Sequence, residues 1–311
     1  MFMGTPEFSV PSLHAVAERC EVTLVVTRPD RPSGRGRAVR ESAVSEAARG
    51  RGLPVVKPQD MKAAQVRERL AAERADVFAV TAFGAILTRE VLALPRAGCV
   101  NLHGSVLPDL RGAAPVQRAL WEGRERTGVC TLFMDDGIDT GDVVLVKDAA
   151  IHDDDDAGTL AARLAALGAP LLAETCVLAH EGRAPRAPQD RAAGSYARKL
   201  RKSDGAVDWT LPARVSWNRA RAVTPWPGAT AGFAGRRVII VSSRPEAGAG
   251  GVPGEVRAVD REGVVVACAE GALRLVKVKP EGRGEQPAAE WARGARLEEG
   301  MRMQSGKEFL S

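Results

Sequence analysis

Asn101 and His103 stand two residues apart at the end of an apolar run, in the stretch "CVNLHGSVLPDLRGAAPVQRALW" (99–121). On an extended strand that spacing turns both side chains to one face. Downstream, "MDDGIDTGDVV" (134–144) sets Asp139 in a Gly-flanked loop between two strand-like runs, from which it can turn back toward the same place. A carboxamide offers an N–H donor, an imidazole donates or accepts a proton, and a carboxylate orients and charges the imidazole. The set suits acyl transfer to an amine, whose tetrahedral intermediate needs an oxyanion donor and a proton route. Taken singly, each part has a plainer role. A lone His at a strand end is more often a hydrogen-bonded structural residue, and an Asp before Thr-Gly is usually a turn residue. Composition and spacing leave both readings open.

The elements that must position these residues form a regular alternation. Strand-like runs fall at 21–27, 53–57, 76–82, 99–103, 128–134 and 142–151. Helical patterns lie near 11–19, 41–51, 61–74, 88–94, 114–122 and 157–181. Apolar strands alternating with helices predict a Rossmann-like α/β fold, a mostly parallel sheet with helices on both faces. Ligands of such sheets sit beyond the carboxyl ends of the strands, where residues 101–112 belong. The opening "MFM" reads as a first strand, short for a sheet centre; either that strand is abbreviated or the chain starts inside a longer one. "DDDD" (153–156) precedes a helix and suits its positive N-terminal end better than a metal ion. "GRGR" (34–37) is half a dinucleotide fingerprint without its later Gly, which argues against NAD. No Ser/His/Asp order or HExxH supports hydrolase or zinc chemistry.

From residue 185 the pattern changes. "GRAPRAPQDRAAG" (182–194) has no consistent period and reads as part of a linker over 185–203. Beyond it, "GRRVIIVSS", "GEVRAVD", "GVVVACAEG" and "ALRLVKVKP" are short alternating strands with Gly-marked turns, predicting a small OB-like β-barrel over 204–311. The catalytic domain is then 1–184. Net charge is +5 and unevenly spread: residues 1–184 carry 22 basic and 25 acidic side chains, residues 185–311 carry 22 and 14. A basic C-terminal part points to a polyanion. The five cysteines are scattered and never form a CxxC pair, which argues against a disulfide framework and a cysteine zinc site, and for the reducing cytoplasm. With no long charge-free apolar run and no signal-peptide pattern, neither a membrane span nor secretion is expected. No metal-ligand cluster and no assembly helix or repeat is evident, so no metal and a monomer are expected.

At "NLHGSVLPDLRGAAPVQRAL" and "DDGIDTGD" the chain resembles the methionyl-tRNA formyltransferases, among the folate-dependent formyltransferases. The likeness runs through "GTPEFSVPSL", "TRPDRPSGRGR", "AFGAIL", "SYARKLRKSDGAVDW", "TPWPGA" and "EQPAAEWARGARLEEG", nearly the whole chain. It implies transfer of the formyl group of 10-formyltetrahydrofolate to the α-amine of methionyl initiator tRNA, without a metal. By position, Asn101, His103 and Asp139 would be the catalytic trio, and Ser105, Val106, Leu107 and Pro108 the folate loop. Phe83, Ile86 and Leu87 are candidate apolar walls for the pterin, with an ordinary core role equally open. Arg35, Arg37 and Arg40 in the 28–40 loop, and Lys199, Arg201 and Lys202, would contact the tRNA. The Asn-x-His-x-Ser-x-Leu-Pro core alone also fits enzymes acting on glycinamide ribonucleotide or aminosugar nucleotides. A non-catalytic RNA-binding protein of this fold is a third alternative, and it predicts a dispersed trio. Three departures stand out: Asp109-Leu110 for a basic-aromatic pair, Asp136 for a small residue beside Asp139, and "ESAVS" after the 28–40 loop.

Overall fold

The computed structural model describes residues 1–33, 38–248 and 250–310, in two compact units. The first comprises Met1–Pro115, Arg126–Ala150 and Ala161–Ala197. Its elements are β1 (Phe2–Gly4), α1 (Val10–Arg19), β2 (Val25–Val26), β3 (Arg31–Ser33), β4 (Ala38–Arg40), α2 (Ala43–Gly50), β5 (Val55–Val56), α3 (Ala64–Ala72), β6 (Phe78–Thr81), α4 (Arg89–Leu92), β7 (Cys99–His103), the start of α5 (Pro115–Trp121), β8 (Arg126–Phe133), β9 (Val143–Ala150) and most of α6 (Ala157–His180).

Seven strands form one sheet in the order β5-β2-β1-β6-β7-β8-β9. Pairing is parallel from β5 to β7, and β8 and β9 add antiparallel edges. Strand order reverses at β1 and β6, so a crevice opens beyond their carboxyl ends, next to that of β7. β1 is only three residues long, yet it is an interior strand bonded on both sides, with Phe2 and Met3 fully buried. β2 and β5 are shorter than their apolar runs suggest, two residues each. Met3, Val26, Phe78, Val80 and Cys99 pack with Leu70 of α3 and Val91 of α4. The opposite face takes α6, whose Gly168 lies against Leu102 and whose Thr175 hydroxyl bonds Thr131 at 2.7 Å. Helices therefore cover both faces. α6 is long and apolar enough to span a membrane, but it carries Arg163 and Glu174 and buries one face. It is a core helix. Asp156 caps it, accepting from the Thr159 N–H at 2.8 Å while Thr159 Oγ1 accepts the Asp156 N–H at 2.9 Å.

The second unit comprises Val116–Glu125, Ile151–Leu160 and Arg198–Ser311. Beyond residue 198 it holds α7 (Ala213–Ala222), β10 (Ala229–Phe233), β11 (Arg236–Glu246), β12 (Val256–Asp260), β13 (Gly263–Ala267), β14 (Ala272–Pro280), β15 (Gln286–Pro287) and α8 (Ala288–Ala295). The antiparallel order β10-β11-β14-β13-β12 leaves two edges, and residues 300–304 bond both. Val256 N–H reaches Met301 O at 2.8 Å on one side, and Gln304 N–H reaches Gly232 O at 2.8 Å on the other. That segment closes the sheet into a barrel. Sequence reading placed the four main strands here but not α7 or α8, whose apolar stripes rest largely on Ala and Trp.

Residues 185–197 do more than link. Ala187 exchanges backbone hydrogen bonds with Val143, both 2.9 Å, and 195–197 pair with Arg111; these residues belong to the first unit. The two short stretches 116–125 and 151–160 fall in the second unit, although they lie within 1–184.

Candidate active site

His103 ends β7 and is 5% exposed. Its Nε2 lies 2.9 Å from the Leu110 carbonyl. A carbonyl only accepts, so Nε2 carries a proton and Nδ1 is the ring nitrogen that faces Asp139 Oδ2, 3.6 Å away. Asn101 lies two residues earlier on the same strand face, half-buried between Val80 and Leu132 of the flanking strands. Its carboxamide has no hydrogen-bond partner among the described residues. His103 and Asp139 are thus brought together, with Asn101 two residues earlier on the same strand.

The loop that carries Asp139 is determined residue by residue. Asp135 Oδ1 accepts from the Gly137 N–H at 3.0 Å and the Thr140 hydroxyl at 2.7 Å, closing a tight turn. Asp139 adopts φ +55°, a left-handed conformation that Asp tolerates better than most residues. A Cβ at Gly141 would strike the Phe133 carbonyl oxygen. Asp139 Oδ2 accepts the Gly112 N–H at 2.8 Å. Gln189 ties the loop down: its Nε2 donates to Asp139 O at 2.9 Å and Gly141 O at 2.7 Å. Gln189 Oε1 accepts from the buried Arg111, from Nε at 3.1 Å and from NH2 at 2.9 Å. Arg111 also donates to the carbonyls of Asp190 at 3.0 Å and Ala193 at 3.1 Å.

Residues 110–112 thus touch both members of the His–Asp pair. They are held by the chain beyond Gln189: Leu110 N–H donates to Ser195 Oγ at 3.0 Å, Arg111 N–H to Ser195 O at 2.9 Å, and Ala197 N–H to Arg111 O at 2.6 Å. Sequence reasoning missed Gln189, which sits in a stretch with no period, and Arg111 and Gly112, which it saw only as part of a motif. Beneath the site, burial pushes the Cys130 thiol up to about 12; the Leu107 backbone opposes that rise and the Asp139 charge adds to it. Cys130 is therefore a neutral packing residue.

The other candidates divide. Ser105 is buried, with its hydroxyl donating to Asp109 O at 2.6 Å, and Leu107 packs with Cys130, Leu132 and Val143. Val106 and Pro108 are half-buried. Phe83 and Leu87 belong to the core under the sheet, whereas Ile86 is 80% exposed. Arg40 is exposed on β4, while Arg35 and Arg37 lie outside the described residues. Lys199, Arg201 and Lys202, in the second unit, are exposed and form no ion pair among the described residues. Asp136 is turned to Arg89 at 2.7 Å, and that hydrogen-bonded guanidinium holds its carboxyl below the usual range.

Residues 6–176 match the formyl transferase family, and residues 199–296 match its C-terminal domain. The methionyl-tRNA formyltransferase of Anaeromyxobacter sp. (strain K) is 44% identical over 301 residues, covering 95% of this chain and 96% of that protein. That of Moorella thermoacetica is 43% identical over 296 residues, covering 94% and 95%. The chain belongs to the methionyl-tRNA formyltransferase family. It is an enzyme. Among solved structures, the sugar 3N-formyl transferase WlaRD superposes with a TM-score of 0.66 at 15% identity, covering 91% of this chain and 97% of that one. At that identity the likeness is one of fold. The formyltransferase family uses a folate-derived formyl donor.

Proposed function

We propose that this chain transfers the formyl group of 10-formyltetrahydrofolate to the α-amino group of methionyl initiator tRNA. The observation that carries the reading is the His103–Asp139 pair, 3.6 Å apart at the carboxyl end of β7, with Asn101 two residues earlier on that strand and its carboxamide without a partner among the described residues. The amine attacks the formyl carbon, forming a C–N bond and placing negative charge on the formyl oxygen. Asn101 donates its N–H to that oxygen, and His103 stabilises the same charge from the pair. Asp139 takes up the proton that the amine gives away and shares it with the facing His103 Nδ1. Collapse breaks the bond from the formyl carbon to the folate nitrogen, which leaves with the proton taken from the amine, giving formyl-methionyl-tRNA and tetrahydrofolate and restoring the carboxylate.

The loop 105–108 fits the donor. Ser105 and Leu107 fix its shape from inside, while Val106, Pro108 and the exposed Ile86 offer apolar surface to the ring system. Phe83 and Leu87 support that surface from below. Arg35, Arg37 and Arg40 serve the acceptor end of the tRNA, and Lys199, Arg201 and Lys202 its phosphates. The enzyme works as a monomer in the cytoplasm, a setting in keeping with five free cysteines. Labelled formyl transfer from 10-formyltetrahydrofolate should appear on methionyl initiator tRNA, and not on glycinamide ribonucleotide or an aminosugar nucleotide. Label on either small amine alone would reject the tRNA reading. Label on none would reject the transferase.

A further inference from the structure

Tyr196 is 60% exposed, yet its backbone is fixed on both sides by the Ser195 and Ala197 bonds to Arg111. Its ring lies on Gly112: a Cβ there would come within 2.7 Å of Tyr196 Cε2, and Gly112 adopts φ +106°. Gly112 is the residue whose N–H holds the Asp139 carboxylate at 2.8 Å. The tyrosine hydroxyl has no partner among the described residues. Next to Asp139 in the chain, Ile138 is 55% exposed. Two exposed side chains are therefore tied to the carboxylate's surroundings, Tyr196 through Gly112 and Ile138 as the residue before Asp139.

We propose that Tyr196 and Ile138 receive the side chain of the amino acid on the acceptor tRNA, and so select methionine. The inference rests on the transferase reading, in which Asp139 takes the proton of the attacking amine. The amine must then approach this carboxylate, and the substituent on its α-carbon falls on the surface around it. A methionyl sulfur lies roughly 5 Å from its own amine, a reach that brings it over neighbouring groups. The thioether is unbranched, apolar and attracted to aromatic rings at about 5 Å. A ring held in place before binding has little freedom to lose when covered. Alanine, carried by the same tRNA, would leave the ring bare.

The test compares kcat/KM for initiator tRNA charged with methionine against the same tRNA mischarged with alanine. Tyr196→Ala should lower the methionyl value about 10-fold and hardly alter the alanyl value, so the ratio falls about 10-fold. Tyr196→Phe should keep the ratio, and Ile138→Ser, on the exposed loop, should lower it in the same direction. The folate KM should not move in any variant. An equal loss for both acceptors, or a change confined to the folate KM, overturns the inference while leaving the transferase intact. No transfer by the unaltered chain overturns both.

Discussion

Gln189→Ala removes the side chain that joins the Asp139 loop to Arg111. The loss is two donor bonds, to Asp139 O and Gly141 O, and one acceptor shared by two arms of a buried guanidinium. Neutral hydrogen bonds contribute about 0.5–1.5 kcal/mol net, and those to a charge about 1.5–3. Gln189 is half-buried, and Arg111 keeps its bonds to the Asp190 and Ala193 carbonyls, so water and those partners offset part of the loss. A stability cost of about 2 kcal/mol follows. The kinetic cost should be larger than that number suggests. Asp139 is held in a left-handed turn by these contacts, and displacing a catalytic group by about 1 Å costs on the order of 10²-fold.

Steady-state kinetics with methionyl initiator tRNA, beside chemical denaturation, separates the two effects. The expected result is kcat down about 10²-fold with the tRNA KM little changed, because Gln189 sits behind the site. Gln189→Glu isolates the donor half. A carboxylate still accepts from Arg111 but faces the Asp139 and Gly141 carbonyls with no proton to give. It should therefore recover stability and not turnover. If Gln189→Ala unfolds as the parent does and turns over at the parent rate, the tether has no mechanical role and the reasoning fails.

The other expectations can be checked on the same preparations. Asp139→Asn keeps an acceptor for the Gly112 N–H but loses the charge facing His103 Nδ1, so kcat should fall about 10³-fold or more while the tRNA Kd holds; an unchanged rate removes Asp139 from the chemistry. Replacing Lys199, Arg201 and Lys202 with Gln should weaken tRNA binding at low salt and flatten the log Kd against log salt slope by about 2–3, at roughly 0.7–0.9 per lost phosphate contact. An unaltered slope would move the tRNA elsewhere. Asp208 is held down at about 2, chiefly by its bond from Lys307 and then by the Thr210 hydroxyl. Its folded value lies below its unfolded one, so its contribution is full above about pH 4 and disappears as the pH falls through about 2. Asp208→Asn should flatten stability against pH in that window and nowhere else, as acid titrations of denaturation midpoints will show.

The parts of the site legible in the sequence were those fixed by local periodicity. The two-residue spacing of Asn101 and His103 on a strand needed no partner to be read, and the Gly-flanked Asp139 turn announces itself by residue type. Apolar character could not separate Phe83 and Leu87 from Ile86, because core and binding wall draw on the same residues. Only the fold shows that Ile86 is the one left uncovered. The contacts of Gln189 with Asp139 and of Ser195 with Leu110 span 50 and 85 residues, beyond any pattern a local window detects. The bonds that residues 185–197, part of the 185–203 linker expected from sequence, make to Val143 and Arg111 were hidden for the same reason. A segment without period can still be extended chain, bonded to a distant loop.

Those long contacts converge on Leu110, Arg111 and Gly112, and the convergence has a consequence for how the site breaks. The Leu110 carbonyl orients the imidazole, the Arg111 guanidinium secures Gln189, and the Gly112 N–H positions the carboxylate. Because one run of backbone sets both halves of the His–Asp pair, displacing it disturbs them together. Substitutions that act through this run should therefore not add. Once Asp139→Asn has removed the charge to which we assign the proton transfer, Gln189→Ala should cost little more in kcat, though it should still cost its share of stability. A double variant whose kinetic losses multiply would mean that Gln189 acts on turnover by a route other than Asp139.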